Sequence, residues 1–366
     1  MNSTLNLNPL FSYYFTPDHG VVVSSLEEDT LLESTEAASL LEAVSSGNKN
    51  INSLTTLLYK EIPPARLMRM VQSLIAHQYI IMEEDEKADN DVIKGELVNR
   101  IRQLFNIPEA FSISLSSSYF SELLFSPSDD NTVYVCVDKH KLMITGVNEN
   151  ICNPCIRARL LSHRPILKLL SNSVEQLSYS LADVNYQQVL QALKEISLNV
   201  DLKNKFTEVN LITTKVEQFL HIPHGCCRLC QPSKEITTVL NEVRTSKVKT
   251  TGFRTESLSV TYHKLINLVN EHVGIISKLS PYKSLDSDLV HNYSSGRNIA
   301  FSSTSKFWLN NHIRSASGGK GKSQLQAQVS ALCEAVERYS MVHQGQKPVI
   351  VASYNDIKSS AIKLVK

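Results

Sequence analysis

Two short cysteine pairs constrain this 366-residue chain more than any other feature. Cys152-Asn-Pro-Cys155 and Cys227-Arg-Leu-Cys230 each set two thiols one knuckle apart, with a long stretch of chain between the pairs. If both pairs serve one ion, the fold must bring residue 152 beside residue 230. Four thiolates suit tetrahedral Zn²⁺ and leave no open position for water, so such an ion holds structure and does not catalyse. Pro154, Gly225 and Pro232 flank the pairs and fit tight knuckle turns. Cys226 makes a CCRLC run, which leaves one ambiguity in the ligation register. A redox CxxC would explain one pair but not two. His221 and His224 lead into the second pair and read as turn groups beside it.

Disulfides are the other use of seven cysteines, and they need an oxidising compartment. The N-terminus lacks the basic region and apolar core of a secretion signal. No apolar stretch is long enough to span a bilayer. Cytoplasm with reduced thiols is therefore expected. Cys136, within the apolar strand Thr132 to Val137, and Cys333, on the apolar side of a helix, read as packing. The net charge is +1 and no basic run stands out, so nothing electrostatic points to nucleic acid or to a membrane surface. The length leaves room for two or three domains.

The first part reads as a small winged-helix arrangement. Ser12 to Phe15 and Val21 to Ser25 flank the turn residues Pro17-Asp18-His19-Gly20, a hairpin signal. Helices are expected at Glu33 to Val44, at Asn52 to Tyr59, and from Pro63-Pro64 onward. Leu67, Met70, Val71, Leu74 and Ile75 form the inner face of the third. Tyr79 to Met82 returns as a strand. Arg66 and Arg69 make no basic stripe, which argues against a DNA-reading helix. Lys87 to Asn90 reads as a linker. Between the cysteine pairs, helices are expected at Val174 to Leu181 and Tyr186 to Leu198, and a strand at Glu208 to Thr213.

Ser317 to Tyr339 opens on Gly318-Gly319-Lys320-Gly321 and continues as one amphipathic helix. Leu325, Val329, Leu332 and Val336 form its buried stripe, and Ala327, Ala331 and Ala335 keep one side slim. Glu334, Glu337 and Arg338 lie off that stripe. Two carboxylates on one face suit Mg²⁺, which takes one or two carboxylates plus substrate phosphates. Arg338 and Lys320 are suited to phosphate oxygens. The glycine–lysine loop can cradle phosphates, although the GxxxxGK[ST] spacing is absent. The bland alternative is a solvated helix face.

Gly319-Lys320-Gly321, followed after twelve residues by Glu334-Ala-Val-Glu-Arg-Tyr-Ser, resembles the N-terminal signature of the YcaO family of ATP-dependent backbone-modifying enzymes. The resemblance extends to the cyanobactin heterocyclases, which form azolines in ribosomal peptides. The resemblance runs from about Ser257 to Ile357. It implies an α/β (α+β) chain in three parts. Residues 1–86 would be a winged-helix-like leader-peptide recognition domain. Residues 90–245 would be an E1-like docking domain with the Cys₄ zinc site at Cys152, Cys155, Cys227 and Cys230. Residues 246–366 would be the start of a YcaO domain. No GxGxxG follows a strand in the middle part, so no adenylation chemistry is assigned to it.

The resemblance further implies ATP held by Arg254, Thr261, Lys320, Glu334, Glu337 and Arg338, with Mg²⁺ on Glu334 and Glu337. Strands are expected at Gly274 to Leu279, Val290 to Tyr293 and Ile299 to Ser302. Family members run further, with a second Glu-bearing helix and a proline-rich tail. On that reading the chain is a fragment or one part of a split enzyme, inactive alone. The implied reaction is ATP-dependent cyclodehydration of Cys, Ser or Thr in a precursor peptide to thiazoline or oxazoline. The implied partners are the leader region, a further YcaO half or a partner cyclodehydratase or dehydrogenase chain, and a second copy as homodimer. The rival is a non-catalytic zinc scaffold that delivers the precursor to another chain. A zinc-containing DNA-binding regulator suits the winged helix but not the neutral charge.

Overall fold

The computed structural model describes residues 4–16, 20–47, 50–83, 90–117, 119–125, 131–137, 140–147, 152–171, 178–180, 186–194, 196, 200–223, 227, 229–230, 256–282, 289–299, 316–342 and 351–358. The chain opens with β1 (Thr4–Leu7), β2 (Ser12–Thr16), β3 (Gly20–Ser24) and β4 (Asp29–Leu32). Helices α1 (Thr35–Ser45), α2 (Ile51–Leu58) and α3 (Pro64–Ala76) and strand β5 (Ile80–Glu83) follow. The hairpin is the expected one, with Ser12 opposite Ser24. Ser34 and Asn50 cap α1 and α2 by accepting from Ala37 N and Asn52 N, and Pro64 starts α3 where its missing N–H costs nothing. Two short strands were not foreseen. β4 extends the hairpin, and β1 pairs with β5 as a separate ribbon.

Both faces of the hairpin are buried. Tyr13, Phe15, Val21 and Val23 pack on Leu40, Leu41, Leu54, Leu67, Val71 and Leu74 of the three helices. Tyr14 and Val22, of opposite parity, enter a second core with Phe120, Ile156, Leu160 and Leu167 from further along the chain. The continuous apolar runs SYYF and GVVV are the sequence trace of this double burial, since a strand with one wet face would alternate.

The middle of the chain forms α4 (Asn90–Leu104), β6 (Ser112–Ser116), α5 (Ser121–Phe125), β7 (Thr132–Val137), β8 (Lys141–Ile144), α6 (Asn153–His163), α7 (Pro165–Leu170), β9 (Ser178–Ser180), α8 (Tyr186–Lys194), β10 (Lys205–Asn210) and β11 (Val216–Leu220). Five strands make one mixed sheet in the order β11-β10-β8-β7-β6, parallel only at β6/β7. Val133, Val135 and Val137 face Leu97 and Ile101 of α4 and Val189, Leu190 and Leu193 of α8. Tyr134 and Cys136 face α5, α6 and α7. Cys136 is thus core, as read.

The helix expected over Val174 to Leu181 is not found. Its residues 178–180 are β9, and the rest lies outside the described residues. β9 pairs antiparallel with β2, so the first sheet runs β4-β3-β2-β9. Local propensity was overridden by an open strand edge offering backbone partners.

The last part contains α9 (Leu258–Ile266), β12 (Ser280–Pro281), β13 (His291–Arg297), β14 (Ala316–Gly321), α10 (Gln324–Met341) and the single turn α11 (Tyr354–Ile357). β12, β13 and β14 form an antiparallel sheet. The expected strand at Gly274 to Leu279 is reduced to isolated bridges at Ile276. In the expected strand at Ile299 to Ser302 only Ile299 is described, outside any strand. The expected glycine–lysine loop is a strand, paired along its length with β13. Its glycines serve packing. A Cβ on Gly319 would lie 2.2 Å from Ala327 O and 2.2 Å from Ala331 N. The slim side of α10 is where β14 lies against it, and Ala327 and Ala331 are fully buried there. Among the described residues no helix is long and apolar enough to cross a membrane.

Candidate functional site

Two sites are built on this frame. Cys152 sits at the N-cap of α6 and Cys155 in its first turn, while Cys227 and Cys230 follow β11, Cys230 in a turn. Cys152 Sγ lies 3.3 Å from Cys227 Sγ and 4.0 Å from Cys230 Sγ, and Cys155 Sγ lies 3.3 Å from Cys230 Sγ. All four sulfurs are within 4.8 Å of one another. Tetrahedral Zn–S bonds of ~2.3 Å set sulfurs about 3.8 Å apart, so the donor set fits a zinc ion with small adjustments.

Burial, with the hydrogen bond to Cys227, pushes the Cys152 thiol up to about 12. At Cys227 burial acts upward too, but the amides of Cys230 and Leu229 and the Cys152 thiol outweigh it and hold Cys227 down to about 6. One sulfur is therefore ready as thiolate, and a bound cation would ionise the rest. His221 stands apart from this cluster, its Nε2 2.5 Å from Thr145 O, and burial holds it down to about 4. His224 and Cys226 lie outside the described residues.

The second site is a groove of about 950 Å³ along β13, β14 and α10. Gly318, Gly319 and Lys320 line it from β14, and Ser330, Glu334 and Arg338 line it from α10, four residues apart on one helix face. Glu334 holds the two elements together. Its Oε2 accepts from Gly318 N at 3.1 Å, and its Oε1 lies 2.6 Å from Arg338 Nη2. Arg338 Nη1 also donates to Ala316 O at 3.3 Å.

Glu337 is exposed and does not line the groove, so the expectation that both carboxylates share one space holds for Glu334 alone. Three positions along a helix turn a side chain about 60° short of a full circle, which carries Glu337 to the neighbouring face. Lys320 lines the groove as expected. Thr261 is not part of it, and its hydroxyl donates to Ser257 O within α9. Arg254 lies outside the described residues.

Tyr282, Val290, Asn292, Tyr293 and Ser294 also line it and were not foreseen. Nothing in a strand's sequence says which face meets a cavity. Asn292 Oδ1 is buried without a hydrogen-bond partner among the described residues, directly across the ladder from Lys320. Cations, strand glycines, an orphaned acceptor and two tyrosines suit a ligand with an anionic end and a flat hydrogen-bonding end. For a divalent ion the groove offers one carboxylate, and that one is engaged by Arg338. Among the described residues only the cysteine cluster gathers three or more metal donors.

Residues 318–365 match the family model described as YcaO cyclodehydratase, ATP- and Mg²⁺-binding. Among solved structures, a heterocyclase in complex with substrate and cofactor is 19% identical, with a TM-score of 0.51 over 96% of this chain and 56% of its own. The heterocyclase TruD is 13% identical, with a TM-score of 0.39 over 97% of this chain and 54% of its own. The E. coli microcin synthetase McbBCD complex is 16% identical, with a TM-score of 0.22 over 61% of this chain and 99% of its own. The chain spans about half the length of the two heterocyclases. No curated protein gives a sequence match.

Proposed function

We propose that this chain, whose residues 318–365 match the YcaO cyclodehydratase family, recognises a ribosomally made precursor peptide and carries part of the nucleotide site for its ATP-dependent cyclodehydration. The observation that carries the reading is the groove on the family-matched segment, where Lys320, Arg338 and Glu334 converge. When bound, ATP supplies the phosphoryl group that removes the carbonyl oxygen as phosphate, after a Cys, Ser or Thr side chain of the precursor closes on the preceding carbonyl. Such transfer needs positioning and charge neutralisation more than a protein nucleophile. Arg338 and Lys320 would hold phosphate oxygens, and Glu334 would exchange part of its Arg338 contact for nucleotide-bound Mg²⁺. Glu337, Thr261 and Arg254 have no described place in the groove.

In the same reading the parts are 1–86 for the leader, 90–245 for docking and 246–366 for the start of the YcaO domain. The four cysteines would hold structural Zn²⁺. The leader would add as a strand to β4, one of the two outer strands of the first sheet among the described residues, since β9 already occupies the β2 edge of the hairpin. Arg66 is held 2.7 Å from Glu36, so this arginine is not a spare cation for an acidic leader. ATP chemistry and reduced thiols favour the cytoplasm. A partner cyclodehydratase or dehydrogenase chain and a homodimeric assembly belong to the same proposal.

The test is mass-spectrometric loss of one water per ring from a precursor, with the rest of a YcaO-type domain supplied in cis or in trans. Glu334→Gln should abolish ring formation and leave leader binding unchanged. Full ring formation by that variant would reduce Glu334 to a strand–helix tie. The engaged state of Glu334 favours one second reading, a non-catalytic zinc scaffold that hands the precursor to another chain. Leader binding without turnover in any supplemented mixture would select it.

A further inference from the structure

Helix α6 makes contacts that neither the cysteine cluster nor the groove needs for itself. Cys155, Arg159 and His163 recur at four-residue spacing along one side of it. Arg159 is 2% exposed. Its Nε lies 3.3 Å from Ile222 O and its Nη2 3.3 Å from Pro223 O, the carbonyls of the segment that leads to Cys227. Its guanidinium stands 5.3 Å from the ring centroid of Tyr339. Tyr339 follows Arg338 in α10, and Arg338 and Glu334 line the groove. One turn further on, His163 Nε2 lies 2.8 Å from Gly274 O. Arg164, the next residue, donates to Asp29 in β4 and to the carbonyls of Ser25 and Leu26.

A buried guanidinium is costly, and an apolar side chain would fill the same space with less penalty. What an apolar side chain lacks is a fork of donors that clamps two carbonyls while presenting a flat cation to a ring. The arginine therefore does something that packing alone does not. It joins the strand end entering the second cysteine pair to the helix that carries the groove.

We propose that Arg159 and Tyr339 are positioning residues. Through their stacking, α6, pinned at its N-terminus by the metal-binding cysteines, sets the position of α10 and so of Glu334 and Arg338. The functional meaning rests on reading the groove as a nucleotide site. The coupling itself does not, and the two are tested apart.

The experiment is hydrogen–deuterium exchange on the full chain, loaded with one equivalent of Zn²⁺ and then chelated. Chelation should raise exchange in α6 and α10 together while β7 and β8 stay protected. In metal-loaded Tyr339→Leu, exchange across α10 should rise about tenfold, the size of a partly desolvated cation–π contact, and should respond no further to chelation. Tyr339→Phe keeps the ring face and should behave as wild type. The coupling is overturned if chelation loosens α6 alone, if Tyr339→Leu matches wild type, or if Tyr339→Phe fails as Tyr339→Leu does. Should chelation unfold β7 and β8 as well, the metal-loaded Leu and Phe variants decide. Mg–ATP titration of the same proteins, with the rest of a YcaO-type domain supplied, should show weaker binding for Leu but not for Phe. A supplemented wild-type chain with coupled exchange and no nucleotide binding would count against the proposed function and leave the coupling standing.

Discussion

Replacing Asp29 by Asn tests the joint between the first sheet and the middle of the chain. Arg164 is buried, with 5% exposure, and its guanidinium meets both carboxylate oxygens of Asp29. It also donates to Ser24 Oγ at 3.1 Å, Ser25 O at 2.7 Å and Leu26 O at 3.0 Å, and lies 4.2 Å from the Tyr119 ring centroid. The substituted amide would keep the shape and remove the charge, leaving a cation on neutral partners in a site closed to water. Breaking a buried pair in this way costs about 3–5 kcal/mol. The remaining carbonyls and ring soften the loss, so about 3 kcal/mol is expected, at the lower end of that range. For a cooperative unit of about 150–250 residues that is a fall of roughly 6–12 °C in melting temperature. Calorimetry of wild type, Asp29→Asn, Arg164→Met and Asp29→Leu/Arg164→Met makes the assay. The double variant should recover most of the loss, because it buries no unpaired charge. A melting point for Asp29→Asn within a degree of wild type would refute the reasoning, and so would a double variant as unstable as the singles combined.

Cys230→Ser should lower bound metal from one equivalent per chain and destabilise the α6 region, because metal-binding energy is folding energy at such sites; metal analysis beside thermal melting checks it. Gly319→Ala places a methyl against the backbone of Ala327 and Ala331, neither of which can step aside, and should cost about 1–3 kcal/mol by urea unfolding. Acid should weaken the fold well before carboxylates titrate. Burial, aided by the charges of His163, Lys141 and Arg164, holds His272 down to about 3, and burial holds His221 down to about 4, both from 6.5. The unfolded chain takes up these protons below pH 6.5 while the folded chain does not, so stability is lost on descent, by about 3 kcal/mol per histidine near pH 4. Glu208, 3.8 Å from His272 and raised by burial, acts in the opposite sense as it protonates. Urea titrations from pH 7 to 4 on wild type and His221→Gln should show a shallower slope in the variant.

Much of the local structure was legible because its signals are local. A Pro-Pro helix start, turn residues and apolar spacing placed the hairpin, α1 to α3, α8 and α10 near their observed bounds. The cysteine pairs announced a shared site because metal chemistry demands four sulfurs in one place wherever the chain runs between them. The Glu334/Arg338 helix announced itself by a motif. What the chain could not disclose is which open edge or face meets which. β9 became a strand because β2 offered it partners, and the glycine–lysine segment became a strand because β13 lay beside it. Two-face burial of the hairpin depends on packing of Tyr14 and Val22 against residues far along the chain, from Phe120 to Leu167. Glu337 left the groove, and Asn292 and the tyrosines entered it, through orientation about axes that only packing sets. Arg159 carried no signal of its own in the sequence, and burial between two carbonyls and a ring is what singles it out. Sequence spacing fixes which residues share an element, because helix and strand periods are properties of the backbone. Tertiary packing decides what each element faces, because that depends on the surface every other element has left unburied.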